Sequence, residues 1–572
     1  MTGGQALVLG DDTRSFLAIV RSLGRRGVVV HAAPANFRSP ALRSRYIAAI
    51  HELPPWMGDG AHWLAAMDGL LRSARYDIVI PCNETALLPL RRHRETLSRL
   101  TVLAIPDDRA IRVLFDKHAT RELARETGVP VAAGRLARPD DNAEEVLAEF
   151  GAPVVVKPRR SYSLDTLAAR GSVHVVAAAD RLASLLRACD PDETIIEGFF
   201  AGRGVGVSLL ASRGRVLQAF EHHRVREIAG ASFYRVSAPL TPDLTRACAA
   251  IVAALHYTGL AMFEFKVNPA GGWILLEINA RPWGSLPLPL ALGIDFPYRW
   301  YRLLTAAEET PEVGYSAGIY ARNLIPDLRQ SLIEAKSRQL GRLDQAWFMT
   351  RRLAELSRLL SGREVSDNLV RDDPRPGVVE LFDLSRAALR RAARRLPGAP
   401  SRRQRRARAR ARIGALRVAA ATPRVIFVCL GNICRSPFAA AALRAGLGDW
   451  RIAIDSAGTM PQPGRPTPPC GIAAAAARGI DLAAHRSVWL SREMAQSASL
   501  LIVFDERTRS ALLDRYPDLG ARHVMLGDLA QLGEITDPID GGPAEFARVY
   551  DQIAAGVAAL LPLLGAATAR RA

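Results

Sequence analysis

Residues 424–437 read RVIFVCLGNICRSP, and this stretch decides the fold of the C-terminal part of the chain. The β-branched and aromatic run 425–428 predicts a buried strand ending at Cys429. The alanine-rich run 438–445 predicts a helix beginning just after Arg435. Cys429 and Arg435 therefore mark the ends of a short strand-to-helix loop made of Leu430, Gly431, Asn432, Ile433 and Cys434. Successive backbone N–H groups in such a loop can point inward and hold an anion, aided by the positive end of the helix. A phosphate accepts those bonds, and the planar fork of Arg435 grips two of its oxygens. The same positive field favours a thiolate, the reactive form of cysteine, and Ser436 is placed to donate a hydrogen bond to it. Gly431 and Asn432 suit the positive φ values of a tight anion loop.

The string CLGNICRSP resembles the phosphate-binding loop of the low-molecular-weight protein tyrosine phosphatase family, and Asp455-Ser456-Ala457-Gly458-Thr459 extends the resemblance, which runs to near Leu564. It implies that Cys429 is a nucleophile forming a phosphocysteine, with Arg435 and Ser436 as catalytic partners and residues 430–434 binding phosphate. The family places a general acid in an Asp-Pro pair far downstream, here Asp537-Pro538. One carboxyl group there can protonate the leaving phenolate and then activate water. Ser456 resembles the serine that holds the loop asparagine. Ile539, Asp540, Gly541 and Gly542 follow Pro538 where eukaryotic members carry aromatics, as in bacterial members. Ile433 stands where phosphoarginine-directed relatives carry threonine, which implies a phosphotyrosine protein as substrate. Cys434 is close enough in sequence to form a reversible disulfide with Cys429. No cofactor is expected for this half.

Upstream, residues 6–33 read strand, helix, strand, with a further strand at 77–81, the alternation of an open parallel sheet. Then come the helical KHATRELARETG with Lys117, the strand VVVKP with Lys157, and TIIEGFF with Glu197, Phe199 and Phe200. The segment AMFEFKVNPAGGWILLEINARPWGS (261–285) carries most information. Turn residues at 268–272 predict a hairpin, and a loop at 269–272 would set Glu264 opposite Glu277, with Asn279 on the same face. Facing carboxylates repel unless a cation lies between them, and an all-oxygen ligand set suits Mg²⁺ or Mn²⁺.

In this order the motifs resemble the ATP-grasp superfamily, and most nearly its bacterial carboxylate–amine ligases. The resemblance implies that Lys117, Lys157, Glu197, Phe199, Phe200 and Arg281 bind ATP, that Glu264, Glu277 and Asn279 hold Mg²⁺, and that the loop 159–173 is a lid. It also implies an acyl phosphate attacked by an amine, with an unnamed carboxylate and amine as substrates. A kinase, or a nucleotide-binding regulator of the phosphatase, stays open as an alternative. Glu221, His222, His223, Arg224 and Arg226 are candidates to face the acceptor.

The expected fold class is multi-domain α/β. A Rossmann-like lobe (1–112) precedes ATP-grasp lobes (113–310), a helical extension (311–383), an arginine-rich linker (384–422) and a separate flavodoxin-like, Rossmannoid phosphatase domain with a four-stranded parallel sheet (423–566). The formal charge of +19 is concentrated: residues 384–417 hold 13 arginines and no acidic residue. That stretch reads as a solvated linker or as a contact for an anionic membrane or acidic partner. It lacks aromatics, so specific nucleic-acid binding is not expected. Six scattered cysteines, no secretory signal pattern and no uncharged apolar run of spanning length predict a cytoplasmic protein, with 553–564 as a last core helix.

Overall fold

The computed structural model describes the chain apart from residues 1–3, 57–58, 164–166, 168–172, 229–230, 338–341, 394–401, 416–422, 448–451, 461–462, 540 and 569–572. Most of the expected lid, Asp540 and parts of the arginine-rich stretch thus lie outside the described residues. The chain divides into two compact units, Met1–Ser385 and Arg386–Ala572.

The first unit opens with a five-stranded parallel sheet, ordered Ile47–Ile50, Val29–Ala33, Gln5–Leu9, Ile78–Pro81, Val102–Leu103. Its strands are apolar on both faces because both are covered. Ala6 and Val8 meet Phe16, Leu17 and Val20 of the helix Ser15–Arg25, whereas Leu7 and Leu9 meet Trp63 and Met67 of the helix Ala61–Ser73. A four-stranded antiparallel sheet follows, ordered Gly134–Leu136, Thr194–Gly198, Val154–Pro158, His174–Val176.

The third sheet has seven strands, ordered Trp273–Asn279, Gly259–Val267, Arg203–Ser212, Arg215–Ile228, Ala231–Ala238, Tyr320–Arg322, Glu364–Ser366. The last two correct the helical reading of 311–383. Helices Leu324–Ser337 and Arg342–Ala354 do occur there, but the segment also completes the sheet. Charge rather than apolar periodicity fixes these three-residue strands. Arg322 donates to Glu364 at 2.6 and 2.9 Å and to Asp327 at 2.7 Å, and Arg235 pairs with Asp367, both fully buried.

The second unit is a four-stranded parallel sheet, ordered Ala453–Gly458, Arg424–Cys429, Leu500–Val503, His523–Met525. Val425 and Phe427 pack with Phe438 and Leu443 of the helix Arg435–Leu447, and Ile426 and Val428 pack with Leu512 and Tyr516 on the other face. Within the helix Pro543–Thr568, the segment Pro543–Leu564 has the length and composition to cross a membrane. Its Phe546, Val549, Tyr550, Ile553 and Val557 enter the core beside Phe438, as the core-helix reading expects.

The stretch expected to be a linker contains a helix, Arg402–Ala415. Ala409 and Ile413, one turn apart, are buried in the core of the second unit, so these two apolar residues dock what composition alone reads as solvated.

Candidate phosphate and nucleotide sites

Cys429 ends the strand Arg424–Cys429, and its Sγ lies 3.1 Å from Ser436 Oγ and accepts the Asn432 N–H at 3.1 Å. Asn432 holds the loop in shape. Its φ is +52°, and its Nδ2 donates to Ser436 Oγ at 2.8 Å and to Ser456 Oγ at 2.9 Å. Its Oδ1 accepts from Val488 N, and its carbonyl is bonded to His485 Nε2, both at 2.7 Å. Gly431 does not share the positive φ expected of it. A Cβ there would lie 2.7 Å from Arg465 Nη2, the far end of a flexible side chain, which donates to the Gly431 carbonyl at 3.0 Å. Leu430 accepts from Met460 N at 2.9 Å, and Ile433 packs on the core.

Arg435 is buried and turned toward acid. It donates to Asp537 at 2.6 Å, to the Ile535 carbonyl at 3.0 Å and to Asp505. Burial works against ionisation of Asp505, but the Arg435 charge and hydrogen bond hold its carboxyl below the usual range. Cys434 is also buried, and burial, followed by the nearby Asp537 and Cys429, pushes its thiol well up. Asp505, Arg465 and His485 escaped the sequence reading.

In the first unit the register places Glu264 directly opposite Glu277, and Asn279 Nδ2 lies 3.1 Å from Glu264 Oε1. The hairpin reaches this pairing by another route than expected. Val267 pairs with Trp273, so the loop is 268–272, and a bulge between Glu264 and Phe265 restores the register. Burial and Glu277 push the Glu264 carboxyl up to about 7, against the charge of Arg224, with which it pairs. A buried carboxylate facing a half-buried one, with an adjacent amide, fits a hard cation, which would relieve that repulsion. Among the described residues no group of three or more His, Cys, Asp or Glu side chains could hold a metal, so the set is this pair with Asn279.

Lys157 Nζ donates to Glu197 at 2.6 Å, and Glu197 also accepts from Arg121, a partner the sequence did not reveal. Lys117 Nζ donates to Ser161 at 3.0 Å; burial lowers its pKa against the pull of Glu277. Arg281 pairs with Glu84 at 2.8 Å, which brings the start of the helix Glu84–Arg92 to the same place. Phe199 is exposed and Phe200 half-buried beyond the Thr194–Gly198 strand. Of the acceptor candidates, His222 is buried beside Gly206, Glu221 accepts from Thr241 N, and His223 lies 3.0 Å from Glu221. Arg226 is taken up by Asp327 and Glu355.

A thiol, an arginine and a carboxylate converging on a strand-to-helix loop at the end of a parallel sheet define a phosphate-loop cysteine site. Residues 424–570 match the family described as low molecular weight phosphotyrosine protein phosphatase. The probable low molecular weight protein-tyrosine-phosphatase EpsP of Ralstonia nicotianae is 32% identical over 142 residues, covering 25% of this chain and 96% of that protein. Wzb of Escherichia coli K12, a low molecular weight protein-tyrosine-phosphatase, is 29% identical over 126 residues, covering 22% and 84%. Through this region the chain belongs to the low molecular weight protein tyrosine phosphatase family. Residues 190–323 match the family described as ATP-grasp in the biosynthetic pathway with Ter operon. Among solved structures, the ADP complex of purK, an N5-carboxyaminoimidazole ribonucleotide synthetase, aligns with a TM-score of 0.46 at 16% identity over 59% of this chain and 86% of that one. An L-amino acid ligase from Bacillus licheniformis aligns with a TM-score of 0.42 at 17% identity over 54% and 78%.

Proposed function

We propose that the chain is a cytoplasmic bifunctional enzyme, a phosphotyrosine phosphatase joined to an ATP-dependent carboxylate–amine ligase. The observation that carries the first half is Arg435, which links the loop around Cys429 to Asp537 at 2.6 Å. In the reaction, the Cys429 thiolate attacks phosphorus, and an S–P bond forms as the P–O bond to the phenol breaks. The Asp537 carboxyl gives its proton to the leaving oxygen, while loop N–H groups and Arg435 hold the phosphate oxygens. Arg435 exchanges Asp537 for phosphate at that point, and Asp505 keeps its other edge. Water then attacks phosphorus and yields its proton to the Asp537 carboxylate. The S–P bond breaks, releasing inorganic phosphate and the thiolate.

For the ligase half, Glu264, Glu277 and Asn279 are the residues that would hold Mg²⁺, whose charge would screen the ATP phosphates. Lys117, Lys157 and Arg281 add positive charge where a carboxylate attacks the γ-phosphorus to give an acyl phosphate and ADP. An amine then displaces phosphate from the acyl carbon. The facing Glu264–Glu277 pair supports this reading.

The test is hydrolysis of phosphotyrosine and phosphoarginine peptides by wild type and Cys429→Ala, with ADP release measured separately against carboxylate and amine panels. Phosphotyrosine-selective turnover lost in Cys429→Ala is expected. Turnover surviving in Cys429→Ala would overturn the nucleophile, and a γ-phosphate retained on the product would make the ligase half a kinase instead.

A further inference from the structure

The helix Arg402–Ala415 has sides with different tasks. Ala409 and Ile413 face the core of the second unit, and two arginines anchor it: Arg405 pairs with Asp528 at 3.2 Å and Arg412 donates to the His523 carbonyl at 2.8 Å. His523 opens the edge strand His523–Met525, and Asp528 lies in the helix Leu526–Leu529 that follows that strand. The arginine helix therefore runs antiparallel to the edge strand. Its amino end sits at the carboxyl end of the parallel sheet, the end at which Cys429 closes its own strand.

Arg403, Arg408 and Arg410 are exposed, and none pairs with a described carboxylate. Arg403 and Arg410 share one flank of the helix, two turns apart, and Arg408 lies on the other side; like charges held this close on a folded helix raise the local potential, and an anionic partner relieves it. The partner's chemistry follows from what the helix lacks. A helix that lies in a membrane buries an apolar face in lipid. Here the branched apolar residue, Ile413, is already buried in the protein, and the outward face is arginine, glutamine and alanine. Charge alone is on offer, which suits an acidic polypeptide.

We infer that this helix is a docking surface for acidic residues flanking the phosphotyrosine of the protein substrate; the inference rests on the phosphatase reading above. The edge strand is two strands from that of Cys429, about 10 Å at the usual strand spacing, and the arginine helix packs against that edge strand, so its arginines lie at least that far to the side of the thiol. An extended peptide advances about 3.3 Å per residue, which places the acidic residues roughly three to six positions from the phosphotyrosine.

The experiment uses the full chain and the triple variant Arg403→Gln/Arg408→Gln/Arg410→Gln, whose exposed positions tolerate glutamine in a helix. Two phosphotyrosine peptides differ only in glutamate or glutamine at those distances. Wild type is expected to prefer the acidic peptide by about tenfold in kcat/KM, through KM, with the preference lost in high salt. The triple variant should treat both peptides alike while its rate on p-nitrophenyl phosphate stays that of wild type. Equal kcat/KM in wild type, or a preference that survives in the triple variant, would overturn the inference. So would equal peptides combined with arginine-dependent sedimentation on phosphatidylserine-containing vesicles, which would assign the helix to lipid. Anisotropy of the labelled acidic peptide, bound to Cys429→Ser with and without the three substitutions, reads docking without turnover. A wild type inactive on p-nitrophenyl phosphate would then defeat the phosphatase reading separately.

Discussion

Asn432 and Asp505 illustrate how much of the phosphate site rests on side chains that touch no phosphorus. Asn432 spends both ends of its amide on the loop, Ser456 and Val488, so its positive φ is held by neighbours rather than tolerated. Asp505 matches one edge of the buried Arg435. Asp505→Asn leaves that edge without its charge, and a stability loss of about 3 kcal/mol is expected at neutral pH. The sign with pH follows from a carboxyl held below its usual range in the fold. Its contribution is present above the unfolded pKa of about 4 and is lost as pH falls through the lower folded value. Denaturant unfolding should therefore separate wild type from Asp505→Asn widely at pH 7 and progressively less in acid below about pH 4. Cys429, Arg435 and Ser436 were legible because they are contiguous, and Asp537 because proline follows it. Asp505, Arg465 and His485 had no such local mark. The one local sign at Asp505 is its capping of Thr508 N–H, which says helix start and nothing of Arg435.

Among the elements, the hairpin 259–279 was legible in its outcome though not in its path, since turn residues set the strand period but a bulge leaves no signature in the letters. The strands Tyr320–Arg322 and Glu364–Ser366 were illegible. Three residues give no periodicity, and their fixing contacts are ion pairs to distant segments. Those pairs are strong constraints once formed. Arg235→Met strands a fully buried Asp367, and a loss of about 3–5 kcal/mol in the unfolding of the first unit is expected. Arg235→Met combined with Asp367→Leu should recover most of it, because neither charge then remains unmatched. Calorimetry on the two variants checks this, and a double variant as weak as the single one would mean that the pair sets the sheet's geometry rather than merely its charge balance.

For the whole molecule, two compact units carry two separate sets of candidate chemistry. Cys429→Ser should remove p-nitrophenyl phosphate hydrolysis and leave ATP turnover at the wild-type rate, whereas Glu277→Gln should do the reverse. Loss of both activities in either variant would show that the sites are coupled. The ion pairs of the first unit also carry a consequence in time. Arg21, in the first helix, is bonded to Asp373, Asp367 and Asn368, and Arg235 waits for Asp367. On the ribosome these arginines emerge long before their partners, so the first unit has to stay open and hydrated around them until nearly its whole length has been made.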